Sequence, residues 1–266
     1  INLEDIKAPE FFEIERQLEE VLDIPVFHDD QHGTAIVVGA AVINAVKFLG
    51  KKNISDLKIV INGAGAAGIA ITKHLNLLGA RNIYLVDKLG IIHSKYPNLN
   101  SEQEFLIEQG LVKNEEGTLQ DALTNADIFI GVSAPNILNA SDIQRMNQQA
   151  IVFAMANPIP EIMPDIAKEA GAVIVGTGRS DFPNQINNVS AFPGVFKGAL
   201  EANATTINEE MRLASSYAIA ELVNLDELNE EYIIPDPFDE RLVPAIAEAV
   251  KQAAVESNVV RERRRS

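Results

Sequence analysis

The sequence predicts an α/β protein with a doubly wound, mostly parallel sheet and extra helices at both chain ends. Short β-branched apolar runs such as Ile59–Ile61 are typical of strands that are buried on both faces. Helical segments alternate with these runs, and a glycine-rich turn joins one run to the helix after it. The 266 residues, 47% of them hydrophobic, allow a large core in one or two domains.

Acidic residues flank the first two predicted elements. An amphipathic helix is predicted from about Pro9 to Leu22, followed by a short strand over Ile24–Phe27. Because a strand that returns along a helix brings the outer ends of both together, the acids beside them could converge on one cation. Oxygen ligands without cysteine suit Mg²⁺ or Mn²⁺. The four carboxylates concerned are Glu4, Asp5, Asp29 and Asp30.

A structural role explains the same acids equally well. The first pair could cap a helix, and Asp29–Asp30 could be a loop pair that caps the helix beginning near Gly33. His28 and His32 are alternative zinc ligands, although a hydrogen-bonded or solvent-facing ring is the simpler interpretation of each histidine. Spacing alone does not separate the metal site from the structural role.

The apolar stretch Gly33–Gly50 is predicted to be a buried helix over Gly33–Leu49. Asn44 and Lys47 interrupt the stretch, and many of its residues are small, which argues against a membrane span. Gly50 is a suitable helix stop.

The stretch Lys58–Asp87 has the pattern of a dinucleotide site. A helix over Ala66–Leu78 follows a G-x-G-x-x-G turn and leads to a second strand over Ile83–Val86. The glycines permit a tight turn, a close approach of the backbone to a pyrophosphate, and close packing of the helix on the strand. We therefore predict a Rossmann-like cofactor site whose turn residues are Gly63, Ala64, Gly65, Ala66, Ala67 and Gly68.

The residue at the end of the second strand favours NAD over NADP. Asp87 stands where a carboxylate accepts hydrogen bonds from the adenosine ribose hydroxyls. The neighbouring Lys88 weakens this preference, because a cation there could tolerate a 2′-phosphate.

Alternating helices and strands continue the sheet. The predicted helices are Ser101–Gln109, Thr118–Leu123, Asp142–Asn147 and Pro164–Ala170, and the predicted strands are Ile128–Val132, Ile151–Ala154 and Val173–Val175. Thr118 and Asp121 resemble a capping box. Polar residues follow the strands at the edge where such sheets bind ligands, and Asn157 and Asn188 could hold a substrate carboxylate or carbonyl there. A turn role explains either asparagine taken alone.

The chain becomes helical from Phe192, with three segments of which the last is about Pro244–Ser257. The basic cluster Arg261–Arg265 that follows is interpreted as a frayed tail, residues 258–266. With Lys+Arg 22 and Asp+Glu 38, the formal net charge of −16 makes nucleic acid and anionic membranes unsuitable partners. Absence of cysteine excludes disulfides, thiolate zinc sites and a cysteine nucleophile, and it fits a cytoplasmic protein.

Several motifs, in order along the chain, resemble those of malic enzymes, particularly the bacterial NAD-linked form. They are INLEDIKAPEFFEIE, IPVFHDDQHGTA, INGAGAAGIA, MANP, GTGRSDFPNQINN and FPGVFKGAL. The resemblance runs from Ile1 to about residue 257. It implies that residues 1–32 belong to the family's N-terminal domain and that 33–257 form the NAD-binding domain.

The resemblance also implies roles for single residues. Glu4, Asp5 and Asp30 would bind the divalent metal, Mg²⁺ or Mn²⁺, and Asp29 would lie beside them in the active site. The glycine turn and Asp87 would hold NAD, with Ser133 near the nicotinamide ribose. Asn157 and Asn188 would position the substrate.

The implied reaction is oxidative decarboxylation of L-malate to pyruvate and CO₂. The family takes a catalytic lysine, a tyrosine and a substrate-binding arginine from a region that would precede Ile1, so we expect this chain to be a piece of a longer protein and incomplete for catalysis alone. A malolactic enzyme, a non-catalytic NAD-binding module and a metal-independent dehydrogenase of amino or hydroxy acids are the alternatives. Malic enzymes are usually dimers or tetramers, which implies a homo-oligomer.

Overall fold

The structure is a computed structural model that describes residues 1–6, 10–50 and 53–261. The predicted helix start at Pro9 and the arginines after Arg261 lie outside these residues. Within the described ranges, every helix is too short or too polar to traverse a bilayer.

A six-stranded sheet is the centre of the fold and confirms the doubly wound prediction. Its strands, in chain order, are β3 (Lys58–Asn62), β4 (Asn82–Asp87), β5 (Gly90–Ile91), β6 (Ile128–Gly131), β7 (Ala150–Ala154) and β8 (Ala172–Thr177). The spatial order is β5-β4-β3-β6-β7-β8, and only the short β5 runs antiparallel to its neighbour. Because the chain builds outward from β3 in both directions, a crevice forms at the carboxyl ends of β3 and β6.

Successive side chains of each strand enter two different cores. Ile59 and Ile61 pack into a large core under the N- and C-terminal helices, whereas Val60 packs into a smaller core on the other face of the sheet. Both faces of the sheet are therefore buried, as the β-branched runs predict.

Ten α-helices are described. They are α1 (Glu10–Val21), α2 (Thr34–Phe48), α3 (Ala66–Leu77), α4 (Ser101–Glu108), α5 (Leu119–Leu123), α6 (Ala140–Ile143), α7 (Pro164–Glu169), α8 (Phe192–Glu201), α9 (Glu209–Glu221) and α10 (Leu242–Glu256). The helix predicted from the apolar stretch after Gly33 is confirmed as α2, most of whose side chains are buried. The capping box of Thr118 and Asp121 is also confirmed.

Several element boundaries differ from the predictions, and two of the differences have a clear local cause. α6 begins two residues before Asp142, because Asn139 accepts the Ser141 amide hydrogen and caps the helix there. The strand predicted over Ile24–Phe27 is instead β2 (Phe27–His28), which pairs in parallel with β1 (Asn2–Leu3). Pro25 has no amide hydrogen to offer a neighbouring strand, so pairing begins only after it.

A π-helical turn over Asp29–Gly33 leads directly into α2, so the acidic pair is not in a loop. Among the described residues, neither carboxylate accepts an amide hydrogen from α2, because Asp29 accepts from Asn188 and Asp30 accepts from Asp5, so the capping interpretation of this pair is wrong. The domain boundary at residue 32, inside this turn, stays a prediction.

Candidate functional site

The glycine turn is held by hydrogen bonds from outside the turn. The Gly63 amide donates to the Val86 carbonyl at 2.8 Å, and the buried Gln103 side chain donates to the Ala64 carbonyl at 2.9 Å. Gly63 has a φ of +116°, which favours glycine, and a Cβ on Gly68 would lie 1.7 Å from the Gly63 oxygen. The first and third glycines are thus structural requirements of the turn, as the motif predicts.

A cleft of about 720 Å³ opens beside the turn at the carboxyl ends of β3, β4 and β6, and we call it the cofactor cleft. Five of the predicted cofactor residues line it, namely Gly63, Ala64, Gly65, Asp87 and Ser133. Thr118, Leu119 and Gln120 also line it, and sequence reasoning missed these three residues. Their segment follows β5, whose pairing with β4 is not encoded by a recognisable strand pattern.

The other predicted turn residues, Ala66, Ala67 and Gly68, do not line the cofactor cleft. Ala66 is the first residue of α3, and Gly68 packs this helix against the turn. Ala67 lines a second cleft of about 310 Å³, which we call the substrate cleft. Three further predicted site residues line this substrate cleft, namely Asp30, Asn157 and Asn188, and Ser133 lines it as well. Val132 and Ser133 line both clefts, so the two form one continuous candidate site.

Asp29 lies directly behind the substrate cleft. Its Oδ2 accepts a hydrogen bond of 2.6 Å from the Asn188 side-chain amide, whereas its buried Oδ1 has no hydrogen-bond partner among the described residues. Gly33 makes room for this carboxylate, since a Cβ there would lie 2.0 Å from Oδ1. Burial, reinforced by the charges of Glu4 and Asp30, raises the pKa of Asp29 to about 6.

The acidic residues predicted to bind a metal lie near one another but do not form a complete metal site. The Asp5 amide donates to the Asp30 carboxylate at 3.1 Å, and Glu4 and Asp30 both act electrostatically on Asp29. In the described ranges, no three His, Asp or Glu side chains are grouped as a metal site. A divalent cation nevertheless fits the chemistry of these residues, because it would offset the repulsion among the carboxylates and give the unpartnered Asp29 oxygen a partner.

The two histidines of this segment behave differently. His32 is hydrogen-bonded, with Nε2 2.9 Å from the Glu15 carboxylate and Nδ1 3.1 Å from the Arg212 guanidinium. The simpler interpretation is thus confirmed for His32. It is wrong for His28, whose ring is buried against Phe11 with neither nitrogen hydrogen-bonded to any described residue.

Comparison of the sequence with known proteins finds the family that the motifs resemble. The family described as "Malic enzyme, NAD binding domain" matches residues 31–255. The chain is 53% identical over 262 residues to the "Bifunctional malic/malolactic enzyme" of Bacillus subtilis (strain 168), covering 98% of this chain and 64% of that protein. It is also 53% identical over 262 residues to the "NAD-dependent malic enzyme" of Geobacillus stearothermophilus, covering 98% of this chain and 54% of that protein.

A solved structure is similar over nearly the whole chain. The malic enzyme from Pyrococcus horikoshii Ot3 superposes with a TM-score of 0.92 at 44% identity, over 99% of this chain and 62% of that one. Other relatives are named as NAD-dependent or as NADP-dependent malic enzymes. The chain spans 54% to 64% of the length of the Bacillus subtilis, Geobacillus stearothermophilus and Pyrococcus horikoshii proteins.

Proposed function

The chain belongs to the malic enzyme family. We propose that it contributes the NAD site, the metal-binding carboxylates and part of the substrate site for converting L-malate to pyruvate and CO₂. The observation that carries this proposal is the shared wall of the two clefts. Val132 and Ser133 line a cleft with the glycine turn and Asp87 on one side, and a cleft with Asp30, Asn157 and Asn188 on the other. A cofactor in the first cleft would face a substrate in the second.

The proposed cofactor is NAD. The α3 amino terminus and the open space over Gly65 suit a pyrophosphate, and Asp87 would accept hydrogen bonds from the adenosine ribose. A carboxylate at that place would repel a 2′-phosphate, which supports NAD over NADP. Lys88 also lines the cleft, so the preference is a proposal that needs a binding test.

The chain's own residues would bind and orient the substrate. The Asn157 and Asn188 side chains can donate amide hydrogens to a carboxylate, and Asn188 is held in place by Asp29, the proposed catalytic-site carboxylate. Glu4, Asp5 and Asp30 are the proposed ligands of Mg²⁺ or Mn²⁺. When bound, the nicotinamide would accept hydride and the cation would act as a Lewis acid that stabilises negative charge on substrate oxygens.

A malolactic activity, which releases lactate, is the second candidate. It is supported by the 53% identity to a Bacillus subtilis protein that is named as bifunctional for both reactions. The clefts of this chain do not distinguish the two products, because both reactions begin with the same substrate and cofactor.

The first experiment titrates the chain with NAD⁺ and then follows NADH, pyruvate and lactate in a mixture with L-malate and Mn²⁺. Pyruvate formed with NADH supports the malic reaction, and lactate without net NADH supports the malolactic one. NAD⁺ binding without product leaves this chain as a cofactor domain that needs the rest of its protein. Failure to bind NAD⁺ would overturn the proposal.

A variant at Asp87 tests the cofactor assignment. Asp87→Ala removes the proposed ribose acceptor, so NAD⁺ affinity should fall about tenfold or more while NADP⁺ affinity falls less. Asp56→Ala is a matched control, because Asp56 is exposed before the opposite end of β3. Equal NAD⁺ affinity in Asp87→Ala and the control would remove the ribose role.

A further inference from the structure

A buried carboxylate lies between the ends of two neighbouring strands. Glu161 is 0% exposed and packs against Gly131, the last residue of β6, where an added Cβ would lie 2.4 Å from the Glu161 Cδ. Within the described part of the chain, no lysine, arginine or histidine is paired with this carboxylate. A buried acid without a cation is unfavourable unless hydrogen bonds satisfy both of its oxygens.

Two backbone amides satisfy Glu161. Its Oε1 accepts the Ser133 amide hydrogen at 3.0 Å, and its Oε2 accepts the Ala156 amide hydrogen at 3.0 Å. Ser133 follows β6 and Ala156 follows β7, so one carboxylate joins the loops that leave two adjacent parallel strands. Hydrogen bonds to a charged acceptor are about twice as strong as neutral ones.

The joined loops line the clefts. Ser133 lines the cofactor cleft and the substrate cleft, and Ala156 lines the substrate cleft beside Asn157. We propose that Glu161 is a positioning residue, which sets the spacing of these two loops and so places Ser133 toward the nicotinamide half of the cofactor and Asn157 toward the substrate. This inference rests on the proposed function of the clefts.

The chemistry requires a carboxylate at this position. Each of its oxygens faces an N–H group, and glutamine would offer one acceptor oxygen and one donor nitrogen in the same volume. Glu161→Gln therefore places an NH₂ group against one of the two amides and releases that loop, while the shape of the side chain is kept. A residue that merely filled space would tolerate this exchange.

The test uses Glu161→Gln with two measurements. Hydrogen exchange, followed by NMR, should show faster exchange of the Ser133 or the Ala156 amide by about tenfold or more, the loss of one charge-assisted bond. NAD⁺ affinity should fall about tenfold, whereas affinity for ADP, which lacks the nicotinamide half, should stay within about twofold. The side-chain amide of Asn62, which donates to the Ser133 hydroxyl at 2.6 Å, helps to report movement of this loop.

Asp127→Asn is the matched control. Asp127 is also a carboxylate with an N–H group at each oxygen, from the Lys58 backbone at 2.9 Å and the Asn147 side chain at 3.1 Å, but it lies at the amino ends of β3 and β6 and lines neither cleft. This variant should leave the exchange of both loop amides and the NAD⁺ to ADP affinity ratio unchanged. Equal weakening of NAD⁺ and ADP in Glu161→Gln, or wild-type protection of both amides, would overturn the proposal.

Hydrogen exchange in the wild-type protein provides a second test of the proposal. Ser133 is an exposed residue, so slow exchange of its amide relative to the amide of the exposed Ala134 is expected only if Glu161 holds it. Fast exchange of the Ser133 amide would overturn the inference even if Glu161→Gln did not fold. Failure of the wild type to bind NAD⁺ would overturn the proposed function, and the exchange rates alone would then decide whether Glu161 holds the loops.

Discussion

Two glycines of the same turn serve different purposes. A Cβ on Gly68 would lie 1.7 Å from the Gly63 carbonyl oxygen, whereas a Cβ on Gly65 would have nothing within 4 Å and would project beside the cofactor cleft. We predict that Gly68→Ala lowers the free energy of unfolding by about 1–3 kcal/mol, because the helix must move away from the turn. Urea unfolding measures this change.

Gly65→Ala should behave in the opposite way. Its free energy of unfolding should stay within about 0.5 kcal/mol of wild type, while NAD⁺ affinity falls about tenfold because a methyl group occupies the space that a pyrophosphate approaches. Each variant is the control for the other. A stable Gly68→Ala protein, or a Gly65→Ala protein with wild-type NAD⁺ affinity, would contradict the prediction.

His74 makes stability depend on pH. Its ring is 4% exposed, and Nε2 lies 2.7 Å from the Ser216 hydroxyl, which itself donates to the Ile36 carbonyl. The hydroxyl proton is therefore used, and His74 is the donor to Ser216. Burial, with smaller effects of the charges of Arg212 and His32, lowers the pKa of His74 to about 3.

The direction of the pH effect follows from this lowered pKa. Between pH 6.5, the ordinary value, and about 3, the unfolded chain holds a proton on His74 that the folded chain does not. His74 therefore destabilises the fold as pH falls through this window. We predict that His74→Gln, which can keep the donor to Ser216, flattens the fall in stability between pH 6.5 and 4 by up to about 1.4 kcal/mol per pH unit.

Urea unfolding at several pH values checks the prediction. His93→Gln is the control, because it removes a histidine from a partly exposed turn. Identical pH slopes in His74→Gln and wild type would show that the buried ring does not govern acid sensitivity.

At the scale of elements, the π-helical turn Asp29–Gly33 is what brings the acidic segment to the sheet edge. It places Asp30 in the substrate cleft and turns the Asp29 carboxylate inward toward Asn188. We predict that Asp30→Ala lowers Mn²⁺ affinity about tenfold or more, because it removes a proposed ligand and the acceptor of the Asp5 amide. Titration with Mn²⁺ measures the loss.

NAD⁺ affinity should be nearly unchanged in Asp30→Ala, since Asp30 does not line the cofactor cleft. Asp23→Ala is the control variant, because the Asp23 side chain is 87% exposed and lines neither cleft. Wild-type Mn²⁺ affinity in Asp30→Ala would remove Asp30 from the proposed ligands, and lost NAD⁺ binding would indicate a misfolded variant.

The elements that could be predicted are those whose signal is local. Strand β3, the glycine turn and α3 are encoded by β-branched runs and glycine spacing within a few residues, and α2 by its continuous apolar stretch. The two-residue strands β1, β2 and β5 exist only through pairing with other segments, so no periodicity marks them. The π-helical turn likewise carries no signal that distinguishes Asp29–Asp30 from a loop.

At the scale of the whole molecule, contacts that complete the site join distant parts of the chain. Asn188 bonds to Asp29 across 159 positions, and Ser133 bonds to Glu161 across 28. The sequence indicated Asp29, Ser133 and Asn188 as site residues by strand ends and family motifs. It could not indicate Glu161, because a buried carboxylate held by backbone amides and one serine has no oppositely charged partner residue to search for.

The shared wall of the two clefts predicts that their ligands are coupled. Val132 and Ser133 contact both spaces, so a ligand that orders this wall from one side reduces the ordering that a ligand on the other side must bring about. With Mn²⁺ present, NAD⁺ should raise the affinity for oxalate, a small dicarboxylate that cannot transfer hydride, by about 5-fold or more.

Thermodynamic linkage adds a second requirement to this prediction. Oxalate must raise NAD⁺ affinity by the same factor, because the coupling free energy belongs to the pair of ligands. ADP is the control ligand, since it can occupy the adenosine side by Asp87 without reaching Ser133, and it should leave oxalate affinity unchanged. Two calorimetric titrations, each ligand with and without the other, measure both factors. Independent binding of NAD⁺ and oxalate would mean that the wall is already rigid in the free protein, and coupling by ADP would place the origin in the glycine turn instead of the shared wall.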